Sequence, residues 1–114
     1  DETNSQAITD GIADYLDRSG VPDVLVGQND QIAIAAIHLL TARGLEVPRD
    51  VAVTGYNAFP FTGVSSPALT TIRSRAYELG VTAASALLDR LERGAFQQRE
   101  YVLPLELVPG NSAP

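Results

Sequence analysis

Two short polar clusters are the residues of this chain best suited to chemistry. One is Asn29-Asp30-Gln31, after the apolar run 24–27. The other is Asn57, at the end of Val53-Thr54-Gly55-Tyr56-Asn57-Ala58-Phe59. Asparagine and glutamine do not titrate, so they are poor acids or bases, but each carries hydrogen-bond donors and acceptors together. That combination suits a neutral polyol, an amide or a nucleobase. Asp30 could nominally serve as a base; Asn29, Gln31 and Asn57 could not. The same residues also have a purely local use. Asn29 or Asp30 can cap a helix, and Asn57 can take a positive φ in a turn.

Other site chemistries find little support. The chain has no cysteine, which removes disulfides, thiolate metal sites and cysteine nucleophiles together, and His38 is its single histidine, so neither a metal nor a cofactor is expected. Neither GxGxxG nor GxxxxGK[ST] occurs. Thr62-Gly63-Val64-Ser65-Ser66 is the nearest approach to a nucleophile elbow and lacks its second glycine. Asp14 and Asp17 share a solvated helix face. The expectation is a binding protein, not an enzyme.

With 114 residues, 45% of them hydrophobic, the chain is one domain or part of one and can build an ordinary core. The longest apolar run, residues 32–37, is far too short to cross a membrane, and no basic-then-apolar start reads as a signal peptide. The chain begins at Asp1 and reads as a piece of something longer. Its net charge is −6, from 14 acidic residues against 8 scattered arginines and no lysine, so this segment itself is not expected to bind nucleic acid.

The elements that must position the clusters follow from spacing and stop signals. Thr3-Asn4-Ser5 offers caps for a helix carrying Ile8, Ile12, Tyr15 and Leu16, ended at Ser19-Gly20. A strand is predicted at 24–27, then a well-buried helix at 31–43 ended by Gly44, a connector at 45–50, and an internal strand at 51–56. After a loop at 57–67 come a strand at 68–72 and a Ser74-capped helix at 75–93, closed by Gly94. Its stripe is Gly80, Ala84, Leu87, Leu88 and Leu91. A last strand at 100–108 carries Pro104 and precedes a loose tail. The alternation of helix and strand is that of a parallel α/β sheet, and ligands in such sheets bind outside the carboxyl ends of the strands.

Pro22-Asp23, Asn29-Asp30-Gln31-Ile32-Ala33, the run from Gly44 to Val53, Gly55-Tyr56-Asn57, Pro67-Ala68-Leu69-Thr70-Thr71-Ile72 and Leu79-Gly80 follow one another without insertions. This series resembles the effector-binding region of LacI/GalR-type transcription regulators, which share the fold of periplasmic sugar-binding proteins. The resemblance implies a Rossmann-like three-layer α/β fold, here the carboxyl-terminal subdomain of a truncated effector-binding domain. It divides the chain into that subdomain at 1–70, a crossover and helix of the other subdomain at 71–97, a returning strand at 98–108 and a flexible tail at 109–114.

It further implies a cytoplasmic protein whose absent amino-terminal helix-turn-helix reads operator DNA, and a small effector such as a sugar, sugar phosphate or nucleobase. Asn29, Gln31 and Asn57 are the implied effector contacts, with Asp30 and Leu79 behind them. Asn57 stands where the family usually has aspartate, which points toward an anionic or acceptor-rich effector. Gly110 replaces a residue that is often basic. The resemblance places the apolar loop 59–64 and the outer side of helix 31–43 near the subunit contact of a homodimer, with Ile34, Phe61 and Val64 as contacts. The runner-up is a periplasmic solute-binding protein of an ABC transporter. With the other subdomain absent, Leu87, Leu88 and Leu91 lose their cover, worth roughly 5–8 kcal/mol together. The helix is expected to fold back on its own chain or pack on a second copy.

Overall fold

The structure, a computed structural model, describes residues 2–60 and 65–114. The elements run α1 (Glu2–Ser19), β1 (Val24–Val26), α2 (Asp30–Ala42), β2 (Ala52–Thr54), β3 (Thr71–Arg73), α3 (Ala76–Arg93) and β4 (Glu106–Val108). They form two compact units, 1–73 with 107–114 and 74–106.

In the first unit, α2 places Ala33, Ala36, Ile37 and Leu40 on one buried face, the i, i+3, i+4, i+7 spacing of a helix packed on a sheet. Ala33, Ile37 and Leu40 join Leu16 of α1, Val51, Val53 and Leu69 in one core cluster. Full burial of a side chain such as Ile37 or Leu40 contributes about 1.5–3 kcal/mol. The C-terminus of α2 is a Schellman turn: Gly44 sits at φ 79, its N–H reaches the Thr41 carbonyl at 3.0 Å, and the Leu45 N–H reaches that of Leu40 at 3.0 Å. The helix begins at Asp30, one residue earlier than expected, and α1 already includes the residues expected to cap it.

Strands β1 and β2 pair in parallel, Leu25 opposite Val53. The expectation that β2 is internal holds, because its backbone bonds on both sides. Ala52 donates to Asp23 and Thr54 accepts from Gly27, at 2.9 and 2.8 Å; on the other edge Val53, Gly55 and Asn57 donate to Ser112, Thr70 and Ile72 at 2.8, 3.0 and 2.8 Å. A parallel bridge joins Thr54 to Thr70, and β3 pairs with β4. Both helices pack on the face that carries Leu25 and Val53. On the opposite face Val24 and Val26 are 50% and 78% exposed.

The tail expected to be loose at 109–114 is instead bonded into this unit. Asn111 and Ser112 donate their N–H groups to the Ala68 carbonyl at 2.8 and 3.0 Å, and Ser112 is fully buried. The Ser112 hydroxyl accepts from the Thr70 N–H at 2.8 Å and donates to the Val53 carbonyl at 2.6 Å. Gly110 lies so close to the Ala68 carbonyl that a Cβ there would collide with it. The last strand is correspondingly shorter than the expected 100–108.

In the second unit, α3 has Arg75 at its N-cap with no side-chain capping bond, so the cap expected from Ser74 is not the one formed. Gly94, at φ 82, closes it by donating to the Arg90 carbonyl at 2.9 Å. Ala86 is the buried residue of this helix, while Leu87, Leu88 and Leu91 are 53%, 60% and 71% exposed. The leucine stripe is thus exposed, and Ala86 lies nearly opposite it around the helix. Arg90 lies over the Phe96 ring, 5.9 Å from its centroid.

Candidate functional site

The carboxyl ends of β1 and β2 deliver both polar clusters to one edge of the first unit. Behind β1, Gly27 is buried so tightly that a Cβ would stand 2.8 Å from the Ala33 Cβ. The chain then turns into α2 through Asn29, whose extended backbone (φ −147, ψ 173) and Oδ1, accepting the Ile32 N–H at 3.0 Å, form the N-cap. The cap uses Oδ1 and not the Nδ2 donors. Gln31, in the first turn of α2, is exposed.

Behind β2, Asn57 is half-buried at φ 104, followed by Ala58 at φ 51. Asparagine is among the few non-glycine residues that tolerate positive φ, which suits it to this turn. Its backbone N–H is held by Ile72, which leaves the loop anchored to the neighbouring strand.

Asp30 lies between the clusters and is fully buried. Its Oδ2 accepts the Phe59 N–H at 2.8 Å, its Oδ1 accepts the Thr71 hydroxyl at 2.5 Å, and its own N–H donates to the Tyr56 carbonyl at 3.0 Å. Its side chain presents no surface to solvent.

A cavity of about 420 Å³ opens beside these strand ends, walled by Gln28, Thr54, Tyr56, Thr71, Ile72 and Leu107 among others and predominantly apolar. Asn29, Gln31 and Asn57 do not line it. Gln28 and Tyr56 do, and neither was singled out from the sequence. The alternation Val53-in, Thr54-out, Gly55-in, Tyr56-out is the signal that places Tyr56 on the face away from the helices.

The remaining expected residues lie elsewhere. Leu79 belongs to α3 in the second unit and is 54% exposed. Ile34 is half-buried on α2, against the core cluster. Phe61 and Val64 fall outside the described residues. Among the described residues no three His, Cys, Asp or Glu side chains are grouped to hold a metal ion, and no helix is long and apolar enough to cross a membrane.

Comparison with known proteins agrees with this geometry. A family model described as a periplasmic binding protein-like domain matches residues 1–113. The chain belongs to the periplasmic binding protein-like domain family. It is 34% identical over 97 residues to the HTH-type transcriptional repressor PurR of Aliivibrio fischeri (strain MJ11), covering 85% of this chain and 29% of that protein. It is 31% identical over 86 residues to the ribose operon repressor of Bacillus subtilis (strain 168), covering 75% and 26%. The crystal structure of the Lac repressor dimer bound to operator and the anti-inducer ONPF superposes with a TM-score of 0.85 at 29% identity, covering 96% of this chain and 38% of that one. The resemblance to LacI-type regulators is therefore real, and transcriptional repressors are among the relatives found. This periplasmic binding protein-like chain spans less than a third of the length of these curated relatives.

Proposed function

We propose that this chain is the carboxyl-terminal part of the effector-binding domain of a cytoplasmic LacI/GalR-type transcription regulator. It contributes one wall of the site for a small polar effector: a sugar, a sugar phosphate or a nucleobase-like compound. It has no catalytic role. DNA is contacted through a helix-turn-helix domain in the longer protein, and the regulator works as a homodimer in which Ile34, Phe61 and Val64 lie at or near the subunit contact.

The observation that carries the reading is the convergence of Asn29 and Asn57 at the carboxyl ends of two paired parallel strands, the place where open α/β sheets bind ligands. Both side chains carry amide donors. An amide at position 57 accepts less strongly than a carboxylate and adds donors, which favours an effector rich in acceptors or carrying negative charge. The apolar cavity beside Gln28 and Tyr56 suits a ring face. The ribose operon repressor among the relatives agrees with a sugar-like class.

A thermal-shift screen of the longer regulator against neutral sugars, sugar phosphates and nucleobases tests the reading. A true effector at about one hundred times its Kd stabilises by about 2.7 kcal/mol, several degrees in Tm. At least one sugar phosphate or nucleobase is expected to give that shift. Silence across all three classes would contradict the proposal.

A further inference from the structure

An aspartate in the first turn of a helix ordinarily stays in water, where it meets the positive end of the helix dipole. Asp30 does not: it is 0% exposed, and its two carboxylate oxygens are taken by groups 29 and 41 residues away in sequence, the Phe59 N–H and the Thr71 hydroxyl. The close approach needs Gly55, because a Cβ at that position would press on Asp30 Oδ1 and stand 2.8 Å from Leu69 Cδ2. Bonds to an ionised carboxylate are about twice as strong as neutral ones, and a buried carboxylate is tolerable only when its oxygens are occupied. The carboxylate therefore fixes three things at once: the start of α2, the loop at Phe59 and the strand at Thr71.

Those three pieces carry or flank the candidate site. Asn29 and Gln31 are the immediate neighbours of Asp30, and Asn57 lies two residues before Phe59. We propose that Asp30 is a positioning residue that sets the distance and orientation between the two polar clusters without touching the effector, with Thr71 and Gly55 as its supports. The proposal takes the identity of the clusters from the effector-binding reading above.

The test is heteronuclear NMR of the 114-residue chain without effector, comparing wild type with D30N, T71V and T71S. T71V removes the hydroxyl at nearly constant volume, and T71S restores it. In the wild type the Phe59 amide, bonded to Asp30 Oδ2, is expected to be protected from exchange. D30N replaces the charged acceptor with a neutral amide and is expected to speed that exchange about tenfold, since bonds to an ionised acceptor are about twice as strong. T71V is expected to shift the amide signals of Asn57 together with the side-chain amides of Asn29 and Gln31, and T71S to return them to their wild-type positions. Cluster signals that stay in place in T71V, or that move equally in T71S, would overturn the proposal. If D30N does not fold, the T71V and T71S pair decides alone. Because no effector is present, a failed ligand screen leaves these outcomes unchanged, and a failed positioning test leaves the screen unchanged.

Discussion

Ser112 and Val53 exchange two hydrogen bonds although they are 59 residues apart: the Val53 N–H donates to the Ser112 carbonyl at 2.8 Å, and the Ser112 hydroxyl donates to the Val53 carbonyl at 2.6 Å. The same hydroxyl accepts the Thr70 N–H, so one buried side chain satisfies backbone groups of two strands that flank the site. S112A leaves a buried carbonyl and a buried N–H without that partner, which costs about 1–3 kcal/mol for such a group. The urea midpoint is expected to fall accordingly at unchanged m-value. A midpoint equal to wild type would show that the tail is not holding the strands.

Gly110 supplies a second, independent handle on the same tail. A methyl group there would collide with the Ala68 carbonyl oxygen and stand 2.5 Å from the Leu69 carbonyl carbon, both rigid backbone atoms. G110A is expected to destabilise by about 1–3 kcal/mol, the usual range for forcing an extra methyl into a packed place. Thermal unfolding reads it directly. A Tm within a degree of wild type would mean that the chain around residue 110 moves aside at little cost.

Much of this architecture was legible in the sequence, and the exceptions share a cause. The buried face of α2, the Gly44 stop and the internal position of β2 are local properties, written in spacing and in residue type. So was the arrival of Asn29 and Asn57 at neighbouring strand ends, since it needs only the helix-strand rhythm. The burial of Asp30 and the anchoring of the tail at Ser112 were not legible because their partners are distant. An aspartate beginning a helix looks like a solvated cap, and Pro109-Gly110-Asn111-Ser112 looks like a loose end, until the fold brings Thr71 and Val53 to them. The stripe of α3 was read as apolar and as having lost its cover, with folding back and packing on a second copy left open. Periodicity shows which face of a helix is greasy and is silent on what meets it.

The stripe has a consequence for association. Leu87, Leu88 and Leu91 are mostly exposed, and burying three leucines is worth roughly 5–8 kcal/mol. Packing against a second copy is the way in which the isolated chain can recover that free energy. Sedimentation velocity is expected to show concentration-dependent association that L88E abolishes. A wild-type chain that sediments as a strict monomer across the micromolar range would contradict this.

Acid should weaken the contact between α1 and α2. Arg43 donates to both Asp17 oxygens, at 2.6 and 3.2 Å, and this hydrogen bonding holds the Asp17 carboxyl below its ordinary value of 3.8. A carboxylate whose folded value is depressed adds stability that is complete above the unfolded value and disappears as pH falls through the folded one. The pair is exposed, so its contribution is small. The Tm advantage of wild type over D17N is expected to be constant between about pH 5 and 7 and to vanish below the ordinary range of aspartate. An advantage that persists undiminished at about pH 2 would contradict the assignment.

The central claim is that Asn29 and Asn57 act on one ligand. Titration calorimetry of the longer regulator, using whichever sugar phosphate or nucleobase the thermal screen selects, measures it in wild type, N29A and N57A. Each substitution removes a hydrogen-bonding amide, so Kd is expected to rise about tenfold or more in both variants. N57A puts alanine at φ 104, so its ligand-free Tm is expected to fall modestly and its Kd must be read on the folded state. N29A also loses the α2 cap, so its Kd must be read alongside a folded ligand-free state. Ligand bound equally well by wild type and N57A would show that the mouth at the strand ends is not the site.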